Sequence, residues 1–369
     1  MRIRRVELTH IRLPLIVPFE TSLGRTTERE IILVRIEDDG GAEGWGECVA
    51  EERPLYSEEW TETAWPALER ILAPMIVRAD LEAPESVRTL FSPIRGNRMA
   101  KAAIESAVWD LTARRKSVPL WQVLGGTQRE IPCGVSIGLK GSNEELLRII
   151  EREVTAGYQR IKIKIKPGRD VDLIEAVRNR YPNLPLMADA NSAYTLNDLP
   201  LLKQLDDYDL MMIEQPLAHD DIADHARLQE EIGTPICLDE SIRSAADARH
   251  AIELGACRII NIKMGRVGGH AEARSIETLA RTRGVAVWCG GMLEAGIGRA
   301  HNIALSTLPG FTLPGDVSAS ARYWEEDIIE PAVTVSATGT IAPPSGPGLG
   351  FDVKRDRIAK LTVRTAVIQ

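Results

Sequence analysis

Residues 158–164, YQRIKIK, open a series of five short apolar runs, each ending on a charge. The others are LPLMAD at 184–189, LMMIE at 210–214, TPICLD at 234–239 and CRIINIK at 257–263. Their last residues, Lys164, Asp189, Glu214, Asp239 and Lys263, are spaced by 25, 25, 25 and 24 positions. Each interval holds a helical pattern and a turn signal, the length of a parallel strand plus its return helix. A parallel strand buried on both faces reads as an unbroken apolar run, so a terminal charge emerges where the core ends. Five such ends point into one mouth.

The repeat extends in both directions. Upstream, CGVSIG ends a strand at Ser136, and SNEELLRIIEREVTAG carries a capping box, Ser142 with Glu145, and a terminal Gly157. Asp170 and Thr195 are similar helix-start candidates. Downstream come GRVGG, a helical AEARSIETLARTRG, VAVWCGG, a helical GIGRAHNIALSTLPG and FTLPGD as a last strand. About eight strands over roughly 190 residues is the size of a (β/α) barrel. Residues 1–50 read instead as an antiparallel meander of VELTHIRL, REIILVRIEDD and EGWGECVA, with DDGG as its second turn. Between the first two strands PFETSLGRTTE reads as a polar loop, a candidate lid, and residues 58–115 turn helical. The expected architecture is therefore α/β: a modified (β/α)7β TIM-like barrel over 126–322 with an N-terminal α+β capping domain over 1–125. The Pro/Gly-rich segment 323–369 is expected to pack back on the cap.

The 369 residues carry a formal net charge of −8, with 44% hydrophobic and 27% charged residues. That balance fits a globular chain and argues against a nucleic-acid or anionic-membrane partner, both of which need clustered positive charge. The start, MRIRRVELTHIRLPL, alternates apolar with polar residues and lacks the continuous apolar stretch of a secretory signal, so a cytoplasmic protein is expected. Five scattered cysteines without a C-x-x-C pair read as buried thiols.

Three carboxylates in phase at a barrel mouth repel one another unless something positive sits among them. Their oxygens suit a hard cation such as Mg²⁺, with Mn²⁺ as an alternative, and no His or Cys cluster competes for a softer metal. Lysines at the first and fifth steps of an eight-stranded barrel face each other across that metal. The arrangement suits proton abstraction next to a metal-bound carboxylate by a lysine whose pKa its cationic neighbours depress. In IKIKIK, however, Lys162, Lys164 and Lys166 share one face, and only the spacing singles out Lys164.

These residues resemble the enolase superfamily, within it the muconate-lactonizing-enzyme subgroup. The matching elements are K-x-K at Lys162 and Lys164, D-A-N from Asp189 to Asn191, E-Q-P from Glu214 to Pro216, D-E-S from Asp239 to Ser241, and N-I-K ending at Lys263. The resemblance implies Mg²⁺ on Asp189, Glu214 and Asp239, and Lys164 and Lys263 as the acid/base pair; a lysine base beside Mg²⁺ is the superfamily's known arrangement. GRVGG together with WCGGMLEAGIGRAHNIALSTLPGFTLPGDVSAS is similar to the group of o-succinylbenzoate synthases that also racemise N-succinylamino acids. That likeness implies a small carboxylate substrate, a homo-oligomer and a racemase role for Arg266. It also implies Phe19, Thr21, Gly24 and Tyr56 on capping loops, and Ser136, Asn191, Gly291, Met292 and Glu294 at the pocket. Lys162 belongs to the same set, with Glu240 hydrogen-bonding near Lys164. Against these stand plainer readings: Phe19 as core, Arg266 as a surface residue, Ser136 as a strand-end hydroxyl and Glu240 as a helix-start acid. Lys166 stands where close relatives are expected to carry an acid.

Dipeptide epimerisation and muconate cycloisomerisation are the alternatives within the superfamily. The D-x-D expected of dipeptide epimerases in the last barrel strand is absent, since Asp316 is followed by Val317 and Ser318. A metal-free Schiff-base aldolase using Lys263 is a different class, and a non-catalytic scaffold would leave the ladder unexplained.

Overall fold

A computed structural model describes residues 1–22 and 24–369. In the N-terminal sheet, long strands Ile3–Glu20 and Arg25–Asp38 pair antiparallel, and Glu43–Cys48 joins the second of them. The last strand, Thr362–Ile368, closes the sheet by pairing with the first, from Val6↔Ile368 to Ile11↔Thr362. Alternation along Ile3–Asp38 puts Val6, Leu8, Ile32, Val34 and Ile36 on one face, where they pack against helices Thr61–Ala67 and Arg98–Arg115 in one apolar cluster.

Glu43–Cys48 lies so close to Arg98–Arg115 that only glycine fits at positions 44 and 46. A Cβ on Gly46 would stand 2.0 Å from the Ala103 carbonyl oxygen, and one on Gly44 2.2 Å from that of Ala107. Neither helical carbonyl can swing away as a side chain would. Gly46→Ala is therefore expected to lower unfolding free energy by about 3 kcal/mol through overpacking. Denaturant titration checks this, and a variant within about 0.5 kcal/mol of wild type would contradict the packing.

Seven parallel strands form the barrel sheet in sequence order: Gly134–Ile137, Arg160–Lys164, Leu186–Asp189, Ile213–Glu214, Ile236–Leu238, Ile259–Ile262 and Ala286–Cys289. Segment 311–316 closes the gap between the last and the first. Phe311 bridges Val287, Gly315 bridges Cys133, and the Asp316 amide donates to the Cys289 carbonyl at 2.8 Å. FTLPGD thus lies in the eighth position but not as a regular strand, because Pro314 has no N–H to give a ladder. Ile161, Ile163 and Ile165 belong to the main apolar cluster, shared with the surrounding helices. Met187, Met212, Cys237, Ile259 and Trp288 form a separate apolar plug.

Several helix starts follow the sequence signals. Ser142 accepts from the Glu145 amide at 3.2 Å, and Asp170 from the Val171 amide at 2.7 Å. Cap and barrel are joined by buried carboxylates. Glu47 accepts from the amides of Ala295 and Gly298, at the start of helix Gly296–Ser306. Glu105 does the same for His270 and Ala271 of helix His270–Thr282. Both sit at the positive end of a helix dipole.

PFETSLGRTTE, read from its Pro, Gly and polar residues as a loop, is mostly strand. Phe19↔Thr26 and Glu20↔Arg25 continue the long hairpin, and the Thr21 amide donates to Gly24 at 2.9 Å. Its tip docks on the barrel, where the Leu139 amide donates to the Glu20 carbonyl at 2.9 Å. Pairing outweighs local turn chemistry here because the hairpin register carries past Pro18 through an irregularity between Pro14 and Phe19.

Candidate active site

The strand ends deliver the ladder as a ring. Lys164 pairs across strands with Asp189, and Asp189 with Glu214. Asp239 and Lys263 each follow their strand by one residue. All five side chains are buried. The Lys164 ammonium donates to Asp189 Oδ2 at 2.6 Å and to Asn191 Oδ1 at 2.5 Å, and Lys263 donates to Asp239 Oδ2 at 2.8 Å. Strands two and six carry the lysines, so they approach from opposite sides of the barrel.

Lys162 also points inward, one layer deeper than Lys164. Its ammonium lies 2.8 Å from Glu214 Oε2, 2.8 Å from Asp316 Oδ2 and 3.3 Å from Asp189 Oδ2, over the Trp288 ring. Lys166 falls past the strand end and is exposed, so it does not share the buried position of the other two. Side-chain alternation could not rank Lys162 against Lys164, since a two-residue step keeps a side chain on the same face, and only the 25-residue spacing to Asp189 favours Lys164.

The electrostatics follow from burial and contact. Burial raises the Asp189 carboxyl, but Lys164 and Lys162 outweigh it and hold the group below its ordinary range. Glu214 is pushed up, first by burial and then by the Asp189 charge. Burial disfavours the Lys263 ammonium, yet Tyr56, Glu240 and Glu214 together hold its pKa above the ordinary value. This differs from the depressed lysine expected on sequence grounds. Carboxylates are its nearest charges here, and a divalent cation that neutralised them would act in the opposite direction.

Asp189, Glu214 and Asp239 supply only oxygen donors, all buried. Among the described residues no three of His, Cys, Asp or Glu converge on one point. Instead ammonium and guanidinium groups, with one side-chain amide, hold the carboxylates: Lys162 and the Asn261 amide on Glu214, Lys164 on Asp189, and Lys263 with Arg266 on Asp239. An all-oxygen set with two carboxylates adjacent in register fits a hard divalent cation by its chemistry.

Above the ring lies a cavity of about 370 Å³ between hairpin and barrel. Phe19, Thr21, Gly24 and Tyr56 line it from the cap; Ser136, Lys162, Lys164, Asn191 and Lys263 from the barrel; Gly291, Met292 and Glu294 from the loop after the seventh strand. Phe19 is half-buried and also packs on the main core, so its two readings are compatible. Ser136 is more than a strand-end hydroxyl, donating to Asp316 Oδ2 at 2.8 Å.

Arg266 and Glu240 are not on this cavity. They line a second one of about 280 Å³ behind Tyr56, which borders both. Arg266 is buried, not superficial, and bonds the carbonyls of Ile242 at 2.9 Å and Asn261 at 2.6 Å and the Tyr56 hydroxyl at 3.1 Å. Glu240 reaches Lys164 through Asn191, whose Nδ2 donates to Glu240 Oε1 at 2.9 Å.

Sequence reading missed Asp316 as a site residue. It accepts from Arg160 at 2.9 Å as well as from Lys162 and Ser136, and these cations hold its carboxyl far below the usual range against the opposing effect of burial. Its place at the end of the eighth barrel segment was the available signal.

Residues 3–125 match the mandelate racemase/muconate lactonizing enzyme N-terminal domain family, and residues 145–357 the enolase C-terminal domain-like family. The chain is 56% identical over 362 residues to an o-succinylbenzoate synthase of Geobacillus kaustophilus, covering 98% of this chain and 96% of that protein. It is 50% identical to an N-succinylamino acid racemase of Thermus thermophilus, with 98% of each covered. A solved enolase superfamily member from Listeria innocua superposes with a TM-score of 0.97 at 44% identity, covering 100% of this chain and 99% of that one. The chain belongs to the mandelate racemase/muconate lactonizing enzyme family of the enolase superfamily.

Proposed function

We propose that this chain abstracts the α-proton of a small carboxylate substrate with the help of Mg²⁺, as an o-succinylbenzoate synthase, an N-succinylamino acid racemase, or both. The observation that carries this reading is the pair Lys164 and Lys263, brought from strands two and six to the floor of one cavity around three buried carboxylates. Relatives of both names at 50% identity or more support the substrate class. A cytoplasmic homo-oligomer is part of the same proposal.

Asp189, Glu214 and Asp239 would hold Mg²⁺, or Mn²⁺ in its place. Bound there, the ion supplies Lewis-acid stabilisation of the charge that develops on the substrate carboxylate as its α-proton leaves. In dehydration of a succinyl-cyclohexadiene carboxylate, Lys164 Nζ takes the α-proton and then delivers a proton to the departing hydroxide on the same face. Lys263 stabilises the negative charge from the other side. In racemisation each lysine serves one face, one removing the proton and the other returning one to the opposite side of the same carbon. Asn191 and Glu240 orient Lys164; Tyr56 and Arg266 orient Lys263 and Asp239. The hairpin roof restricts water over the reacting carbon.

Parallel assays with the cyclohexadiene substrate, N-succinylamino acids, dipeptides and a muconate test this. Turnover is expected on at least one of the first two, at a kcat/KM about tenfold or more above the others. Faster turnover of dipeptides or muconate would overturn it.

A further inference from the structure

The reacting carboxylate belongs at the floor, but a succinylated substrate carries a second carboxylate at the far end of its acyl chain. Arg25 and Arg53 line the cavity but are exposed to water, and most of its buried cations are already engaged. Lys162, Lys164 and Lys263 pair with Asp316 and the ring carboxylates, and Arg299 gives its two terminal nitrogens to the carbonyls of Ser318 and Glu294.

Arg29 differs. It stands on the Arg25–Asp38 strand of the cap, lines the cavity, and is only 2% exposed. Its Nη2 donates to the Val49 carbonyl at 2.8 Å, its buried Nε has no partner, and Nη1 is bonded to none of the described residues. No carboxylate among the described residues lies within 4.0 Å of it. Glu28, Glu51 and Glu52 border the same cavity but are half-buried or exposed, so water solvates them. Burying a guanidinium with no counter-ion is costly, and the cost is offset when a ligand supplies the anion. Arginine suits a carboxylate because its planar fork can bind both oxygens.

We propose that Arg29 binds the second, non-reacting carboxylate of the substrate and thereby selects diacid-derived acyl groups; this rests on the succinylated-substrate reading above. The acyl chain runs from barrel floor to cap, and Arg29 is a binding residue that takes no part in proton transfer.

The test compares an N-succinylamino acid with its N-butanoyl analogue, in which a methyl group replaces the distal carboxylate. Wild type is expected to favour the succinyl compound by about tenfold or more in kcat/KM, the worth of one charged hydrogen bond. Arg29→Met should erase that preference, mainly through a higher KM for the succinyl compound, and leave the butanoyl kcat/KM within about threefold of wild type. Arg29→Lys should restore part of it, and serves as the test if the Met variant does not fold. Equal losses on both compounds would overturn the proposal by reducing Arg29 to a support for Val49. A preference unchanged in the variants, or absent in wild type, would overturn it as well. Wild type inert toward both compounds and toward the cyclohexadiene substrate would instead sink the functional reading, and the subsite with it.

Discussion

Lys263→Ala is expected to lower kcat by about 10³-fold or more on both the cyclohexadiene substrate and N-succinylamino acids, and Lys164→Ala to do the same. The two losses have different origins. On the proposed mechanism Lys164 moves the proton in dehydration and serves one face in racemisation, whereas Lys263 stabilises the anion in the first reaction and serves the other face in the second. Each ammonium contacts a ring carboxylate, so its removal also leaves Asp189 or Asp239 short of a partner. Unfolding curves separate that structural loss from the chemical one. Undiminished kcat in either folded variant would refute the paired-lysine mechanism.

Withdrawal of divalent cations by a chelator is expected to be as severe, about 10³-fold or more in kcat, with recovery on adding Mg²⁺ or Mn²⁺. Glu214→Gln should reproduce the loss, because an amide halves the acceptor oxygens and removes the charge. Glu214 lies at the centre of the ring, between Asp189 on one strand and the strand leading to Asp239 on the other. Isothermal titration with Mg²⁺ supplies a readout independent of activity, in which the variant should lose binding heat. Full activity in the chelator, with Lys263 trapped by borohydride on a carbonyl substrate, would move the protein to the Schiff-base class.

Barrel and ladder were legible because buried parallel strands leave two plain marks, unbroken apolar runs and a regular return length. LMMIE and CRIINIK show both. The choice between Lys162 and Lys164 was not legible from residue types. Both point inward, and what distinguishes them is depth: Lys162 lies over Trp288 against Asp316, and Lys164 reaches Asn191. Asp316 escaped notice because it sits on an irregular segment interrupted by Pro314 and meets Arg160 only through barrel closure, 156 residues away in the chain. Arg29 was invisible for a related reason. In an alternating strand an arginine reads as solvent-facing, and only the docking of cap on barrel makes its position buried. The hairpin at 18–28 reads as a loop because Pro18 and Gly24 signal turns locally, while its pairing partner is the other half of the same segment.

The most direct test is α-proton exchange of separate L- and D-N-succinylamino acids in D₂O, followed by NMR with wild type and the two lysine variants. Wild type should wash deuterium into both enantiomers. Lys164→Ala should retain exchange with one enantiomer only, and Lys263→Ala with the other only, each without racemisation. Exchange of both enantiomers by either single variant, or the same enantiomer exchanged by both, would contradict a lysine on each face of the substrate.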